Sequence, residues 1–425
     1  MFPQSCDTMV ALGAATQNGQ TIFAKNSDRP ASECQPLELH PQKNHASGDE
    51  APCQFVTLPE AEVTYRHVGS RPFWCWGYEQ GFNAHQVVIG NEAVHSHLPV
   101  ATTPKLIGME LLRLGLERGK TAADAVDVMT GLISEYGQGK FENDANVRTY
   151  DNGYIVADPH EAYVIETAGH DWAVKKVEGA LGISNVYSVE TDWARTSCET
   201  SVGDRLNFAD TFTKDPRTEG SGFTRRARSC AVLSHLTEQI DAHTMMHLLS
   251  DHGSEKSPSD VFQTDLKQGG ICVHCNEDGT GGNTAASLVA DLCADGSRLP
   301  VYWCSFYSPC LALFLPVFIE GELPTILGVG ADGHTGESPW WLFHQLSRVV
   351  REEPDERVGL VRERWCAMQA ELFKTAYMMA EEGRHLIDRE KEEKAGQVLT
   401  DYMEGNVRDM LGEVSGFLET FDRKK

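Results

Sequence analysis

Positive charge is scarce in this 425-residue chain: 37 Lys and Arg face 62 Asp and Glu, a formal net charge of −25. A sequence-independent grip on nucleic acid or anionic membrane needs a basic surface that displaces counterions, so neither is an expected partner. Long apolar runs are missing as well. No stretch offers about 18 uninterrupted apolar residues, and the opening MFPQSCDTM has neither the basic start nor the apolar run of a secretory signal. A soluble, cytoplasmic protein is therefore expected. Cysteine is thinly spread, twelve in all, and Cys293, Cys304 and Cys366 sit in apolar segments, which suits reduced thiols better than a disulfide frame.

Metal patterns are sparse too. His95 and His97, or His243 and His247, have no acidic companion of the HExxH kind. Cys272-x-x-Cys275, with His274 inside it, lacks the second ligand pair that a structural zinc site normally shows. No metal and no cofactor are expected.

What is present is an alternation of short strands and paired helices. Asp7–Ala14 and Thr21–Asn26 read as a hairpin around Thr16-Gln17-Asn18-Gly19. If Asn18-Gly19 alone makes the turn, Cys6 lies across from Ala31; a six-residue loop over Ala14–Gly19 puts it across from Ser27. Further strands are predicted at Glu62–His67, His85–Gly90, Gly153–Ala157, Glu161–Thr167 and Trp172–Val177, with Asp158-Pro159 and Gly169-His170 as turns. Thr103 and Pro104 predict a helix start running to Arg118, and Thr121 with Asp124 a second helix stopped by Gly137. Antiparallel meanders with inserted helix pairs make the fold class α+β. After Ser338-Pro339 the chain reads as nearly continuous helix, with Val361, Trp365, Met368, Leu372, Ala376 and Met379, then Leu399, Met403, Val407, Met410, Val414 and Phe417, stepping by three and four. Asp388–Lys394 reads as a solvated helix face or connector.

A thiol nucleophile needs a base, and a cysteine at a chain start carries one on its own Cα, since an α-amino group has a pKa of about 7.7–8.0. Cys6 would gain that base by loss of Met1–Ser5. Around it, Ser5-Cys6-Asp7-Thr8, Lys25-Asn26-Ser27-Asp28-Arg29, Ser70-Arg71-Pro72, Trp74-x-Trp76-Gly77-x-Glu79, Gly81-x-Asn83, Ile89-Gly90-Asn91-Glu92-Ala93-Val94 and Ile183-Ser184-Asn185 are the motifs of one family. The chain resembles the secernins and the wider cysteine dipeptidases, peptidase family C69 of the N-terminal-nucleophile hydrolases. The resemblance covers residues 6–190 well and continues loosely through Ile271-Cys272-x-His274 and Thr284-x-x-Ser287.

That resemblance implies a four-layer αββα sandwich of two antiparallel sheets; the helical stretch after Ser338, where no family motif is matched, is read as an extension of it. Together they divide the chain into a leader, residues 1–5, a catalytic domain over 6–335 and a helical region over 336–425 packed on it. It implies hydrolysis of amide bonds in dipeptides or other small amides. Cys6 is then the nucleophile, Asp28 the carboxylate that holds its amine, Asn91 the oxyanion donor and Asn185 a second active-site amide. Lys25 stands where the bile-salt-hydrolase branch has arginine, so that branch's substrates are not implied. Lys25, Trp74, Trp76, Glu79 and Arg225 are candidate substrate contacts, with Arg228 an alternative to Arg225; Gly77 and Gly81 read as backbone-permissive turn positions. A non-hydrolytic protein of secernin type, acting through protein partners, is the second functional class. A homo-oligomer is left open.

Overall fold

The computed structural model describes residues 6–99, 101–139, 141–143, 146–148, 150–199, 205–214, 219–265, 267–334 and 336–422; the leader Met1–Ser5 lies outside them. Two antiparallel sheets form the centre. The first contains β1 (Asp7–Ala11) and β2 (Ile22–Pro30). The second begins with β3 (Leu37–His40), β4 (His67–Ser70), β5 (Gln80–Asn83) and β6 (Val88–Val94), and continues with β7 (Asp151–Ala157), β8 (Ala162–Ala168) and β9 (Asp171–Lys176). The chain then returns to the first sheet as β10 (Ala180–Ser184) and adds the short edge β11 (Arg195–Thr196) to the second. Strands β12 (Gly282–Asp291), β13 (Val301–Phe306) and β14 (Leu315–Val317) complete the first. The strand orders are β10-β1-β2-β12-β13-β14 and β11-β9-β8-β7-β6-β5-β4-β3.

Helices cover the outer faces. α1 (Gly108–Arg118) and α2 (Ala122–Tyr136) lie on the second sheet, and α3 (Gly220–His235) and α4 (Ala242–Leu249) on the first. The period of two along β7 divides its residues cleanly: Tyr154 and Val156 join Val126, Met129 and Ile133 of α2, whereas Ile155 and Ala157 join the core between the sheets. These contacts make the αββα layering. The last three helices, α5 (Pro339–Glu352), α6 (Pro354–Asp388) and α7 (Glu392–Asp422), pack on one another and on β13 and β14. Ser338 caps α5 with Pro339 in its first turn, and the chain breaks at Arg389–Lys391, where Glu390 has φ 58°, so within Asp388–Lys394 only these three residues are connector and the others are helix ends. No described helix is long and apolar enough to cross a membrane.

The helix expected from Pro104 starts four residues later. Leu106 bridges Gln138 and accepts from Gly139 N at 3.1 Å, which keeps this stretch extended, and Glu110 closes the helix start by accepting from Ile107 N at 2.9 Å. Gly77 and Gly81 are not turn positions with left-handed backbone. A Cβ on Gly77 would strike the Met109 carbonyl of α1, and one on Gly81, inside β5, would strike the Val68 carbonyl. Both are required by close approach.

Between the sheets Gly90 has the same role. A Cβ there would run into the Lys25 side chain and come within 3.0 Å of the Phe23 ring. Gly90→Ala should therefore overpack the interface and lower stability by about 1–3 kcal/mol, read as a reduced urea midpoint at unchanged slope.

Candidate active site

Cys6 enters β1. That strand pairs with β2 in the register Asp7↔Asn26, Thr8↔Lys25, so Cys6 lies across from Ser27, the second of the two registers the hairpin allows. Strand alternation turns Thr8 toward the other sheet, where its hydroxyl meets Glu92, and turns Asp7 toward α3, where it meets Arg225. The Cys6 sulfur accepts from the Asp28 backbone N–H at 3.3 Å. It is buried, and burial pushes the thiol pKa up while the Lys25 ammonium pulls it down.

β2 runs four residues beyond the expected end at Asn26, so Asp28 is a strand residue and not a turn residue. Its Oδ1 accepts from Thr284 Oγ1 at 2.6 Å. The pairing of β12 with β2 shifts between Thr284 and Ala286, a bulge that stands beside this contact. Asp28 Oδ2 is buried and has no hydrogen-bond partner among the described residues. Burial raises the Asp28 carboxyl to about 7, against the Thr284 hydrogen bond and the charge of Arg225, which lower it.

Arg225, not Arg228, faces this region. Fully buried, it donates to Asp7 Oδ2 at 2.5 Å, to the Cys6 carbonyl at 3.0 Å and to Asn185 Oδ1 at 2.8 Å. Asn185 in turn donates to the Ala93 carbonyl at 2.8 Å, so its amide ties α3 to β6. Arg228 instead pairs with Asp251 in a partly exposed position. Asp7, held up at about 6 by burial despite Arg225, was not among the expected residues. Its signal is a carboxylate at the head of a strand that continues as apolar Met9-Val10-Ala11.

The Lys25 ammonium is fully buried and donates to the carbonyls of Asn91 at 2.7 Å and Asn26 at 3.2 Å, with Glu92 3.9 Å away. Burial raises Glu92 to about 8, more than Lys25 lowers it. Asn91 is mid-strand and buried, not at a strand end. Its amide lies between Glu79 and Asn152; with the nitrogen toward Glu79 it donates to that residue's carbonyl at 2.9 Å and Oε2 at 3.0 Å. Glu79 Oε1 accepts from Arg29 at 3.0 Å, and Arg29 also pairs with Glu33. Cys6, Asp28, Arg225 and the partly exposed Asn185 thus share one set of contacts, and Lys25, Asn91 and Glu79 share a second, with the charges of Lys25 and Glu79 felt at the Cys6 thiol. Trp74 packs against Ile107 and Met109, while Trp76 lies under the Arg113 guanidinium, 3.9 Å from it, against α1. Apart from these two sets, His252, Cys272, His274 and Cys310 converge as a group able to hold a metal ion.

The Asp7–Arg225 pair predicts a sharp contrast between two nearby arginines. Arg225→Ala leaves a buried carboxylate unpaired and should cost about 3–5 kcal/mol of unfolding free energy, whereas Arg228→Ala should cost under about 1 kcal/mol. Asp7 has a folded pKa above its unfolded one, so the folded chain holds that proton more tightly and stability falls as pH rises. The Arg225→Ala deficit, measured by urea unfolding, should accordingly be larger at pH 8 than at pH 5.

Known proteins resemble this chain in structure and in sequence. The conjugated bile acid hydrolase of Clostridium perfringens, in the structure of a mutant form, aligns over 78% of this chain and 98% of its own at 12% identity and TM-score 0.44. Penicillin V acylase from Agrobacterium tumefaciens aligns over 73% and 86% at 13% identity and TM-score 0.41. The Caenorhabditis elegans ortholog of N-acylethanolamine-hydrolyzing acid amidase aligns over 67% and 92% at 15% identity and TM-score 0.35. Residues 5–181 match the model of peptidase family C69. That matched segment carries Cys6, Asp28 and Asn91, so over its first 181 residues the chain is similar to peptidase family C69.

Proposed function

We propose that the protein hydrolyses dipeptides or other small amides with Cys6 as an N-terminal nucleophile, after removal of Met1–Ser5. The observation that carries this reading is the pairing of Cys6 with Asp28: a thiol at a strand start, and beside it a carboxyl with one oxygen fixed by Thr284 and the other unpartnered among the described residues. A buried carboxylate oxygen without a partner is costly, and a free α-amino group on Cys6 is the donor that would complete it.

In this reading the neutral amine takes the thiol proton and the thiolate attacks the substrate carbonyl carbon. Negative charge moves to the carbonyl oxygen, where an Asn91 N–H stabilises it by exchanging one of its Glu79 acceptors for the oxyanion. The ammonium then protonates the leaving nitrogen, the carbon–nitrogen bond breaks, and an acyl-thioester remains for water to hydrolyse. Arg225 and Asn185 act as positioning residues through the Cys6 carbonyl. Lys25, whose ammonium is directed at backbone carbonyls, supports the Asn91 strand, and the division into leader, catalytic domain 6–335 and helical region 336–425 follows the same reading.

Intact-mass measurement of active protein should find Cys6 as the first residue. Active protein that retains Met1–Ser5 would leave Cys6 with a peptide nitrogen, which is not a base, and the mechanism would fail. Cys6→Ala should abolish turnover with the fold kept, and Asn91→Ala should lower kcat by roughly 10²–10³ with a smaller change in KM. An effect confined to KM would make Asn91 a binding residue.

The pH dependence tests Asp28. The amine must be neutral to accept a proton, so kcat/KM should rise with pH through an apparent pKa of the coupled amine and thiol. A carboxylate beside the amine favours its charged form and raises that value. Asp28→Asn should move the acidic limb to lower pH and reduce the maximum; superimposable profiles of equal height would remove Asp28 from the mechanism.

A further inference from the structure

Away from Cys6, four side chains from separate stretches of chain meet. His252 follows α4, Cys272 and His274 lie on the segment leading to β12, and Cys310 sits in the turn Pro309–Leu311 after β13. Their donor atoms all lie within 4.8 Å of one another. His274 Nε2 is 3.2 Å from His252 Nε2, 3.5 Å from Cys272 Sγ and 3.3 Å from Cys310 Sγ.

Hydrogen bonding does not account for that arrangement. An imidazole nitrogen carries one proton or one lone pair, so it serves one partner and not three. A central cation serves all of them. With zinc bonded at about 2.0–2.1 Å to nitrogen and about 2.3 Å to sulfur, tetrahedral angles require edges of about 3.3 Å between nitrogens and about 3.5 Å between nitrogen and sulfur. The observed separations are of this size.

The surroundings have the form of an outer ligand shell. His252 Nδ1 is 3.1 Å from Glu255 Oε2, which leaves Nε2 to face the group, and His274 Nδ1 is 3.4 Å from Ser308 Oγ. Glu255 is held by Arg362 at 2.6 Å, and Arg362 Nε donates to the Cys310 carbonyl at 3.2 Å. Two thiolates and two neutral imidazoles would balance the charge of a divalent ion in a largely buried position.

We propose that His252, Cys272, His274 and Cys310 hold one zinc ion in a closed tetrahedral site. This revises the expectation of no metal. Cys275, the partner that the C-x-x-C spacing suggests for Cys272, is not in the group; its sulfur is 3.8 Å from Arg351 instead. The ion is structural, because four protein ligands leave no position for substrate. It would pin the residues on either side of Val273, which exchanges hydrogen bonds with Thr284: Val273 N donates to Thr284 Oγ1 at 3.0 Å, and Thr284 N to the Val273 carbonyl at 2.9 Å. Thr284 is the residue that holds Asp28, so the site braces the Cys6 region from behind.

The assignment does not depend on any role for Cys6 and is tested without an activity assay. Full-length protein purified without chelators should contain about one zinc per chain by elemental analysis. Cys272→Ala and Cys310→Ser should lose it, whereas Cys275→Ser and Cys6→Ala should keep it. Protein stripped of metal and given Co²⁺ should show the intense visible bands of tetrahedral cobalt and a thiolate-to-cobalt charge-transfer band. Should the ligand variants fail to fold, the wild-type cobalt spectrum decides. Folded wild type that holds no zinc and gives no such spectrum would overturn the proposal. So would zinc retained by both ligand variants, or an intact mass showing Cys272 and Cys310 joined as a disulfide.

Discussion

Burying Lys25, Asp28 and Arg29 along one central strand is costly, and much of the architecture is the set of partners that offsets this cost. β2 lies between β1 and β12, so its backbone is satisfied on both edges and its side chains must find partners above and below the sheet. Above, toward the second sheet, Lys25 reaches the Asn91 carbonyl and Arg29 reaches Glu79. Below, Asn26 donates to the Leu249 carbonyl at the end of α4 and accepts from Ser287, while Asp28 takes Thr284. The bonds to Asn91, Glu79 and Leu249 cross between layers, whereas those to Ser287 and Thr284 tie β2 to its neighbour β12 within the sheet. A layer cannot slide without stripping a buried charge of its partner.

This explains why the network is both rigid and unevenly charged. Asp7, Asp28 and Glu92 are all pushed toward their neutral forms by burial, to about 6, 7 and 8, yet each has a cation or a donor nearby. The arginines at the margins, Arg225 and Arg29, are tied by close ion pairs, whereas Lys25 at the centre is directed at carbonyl oxygens and stands 3.9 Å from Glu92. Around Cys6, therefore, protons are held by groups whose affinities lie near neutrality.

Local features were legible in the sequence and distant ones were not. The capping box at Thr121 and Asp124, the stop at Gly137, the turns at Asp158-Pro159 and Gly169-His170, and the start at Ser338-Pro339 are written within a few residues and appear as read. The helix expected from Pro104 begins only at Gly108, because a bridge from Leu106 to Gln138, over thirty residues distant, overrides a good local cap. β12 went unread although every residue in it is buried: a central strand carries no alternation to betray it. The hairpin offered two registers for Cys6, and only pairing in three dimensions selected Ser27 as its neighbour.

The same division runs through the two sites. Cys6, Asp28 and Asn91 could be named because their flanking motifs are contiguous, but the residues that hold them, Thr284, Glu79 and Arg225, come from three other parts of the chain, and only two of these were among the candidates. The second cluster is the extreme case. Only Cys272 and His274 of its four residues are close in sequence; the fold supplies His252 from just after α4 and Cys310 from the turn after β13. Both elements pack against β12, the strand that also pairs with β2 and carries Thr284. One unread strand thus stands between the two sites. Because Val273, between Cys272 and His274, exchanges hydrogen bonds with Thr284, the His252–Cys310 cluster is tied to β12 beside its bulge on β2, and through it to the hydroxyl that donates to Asp28.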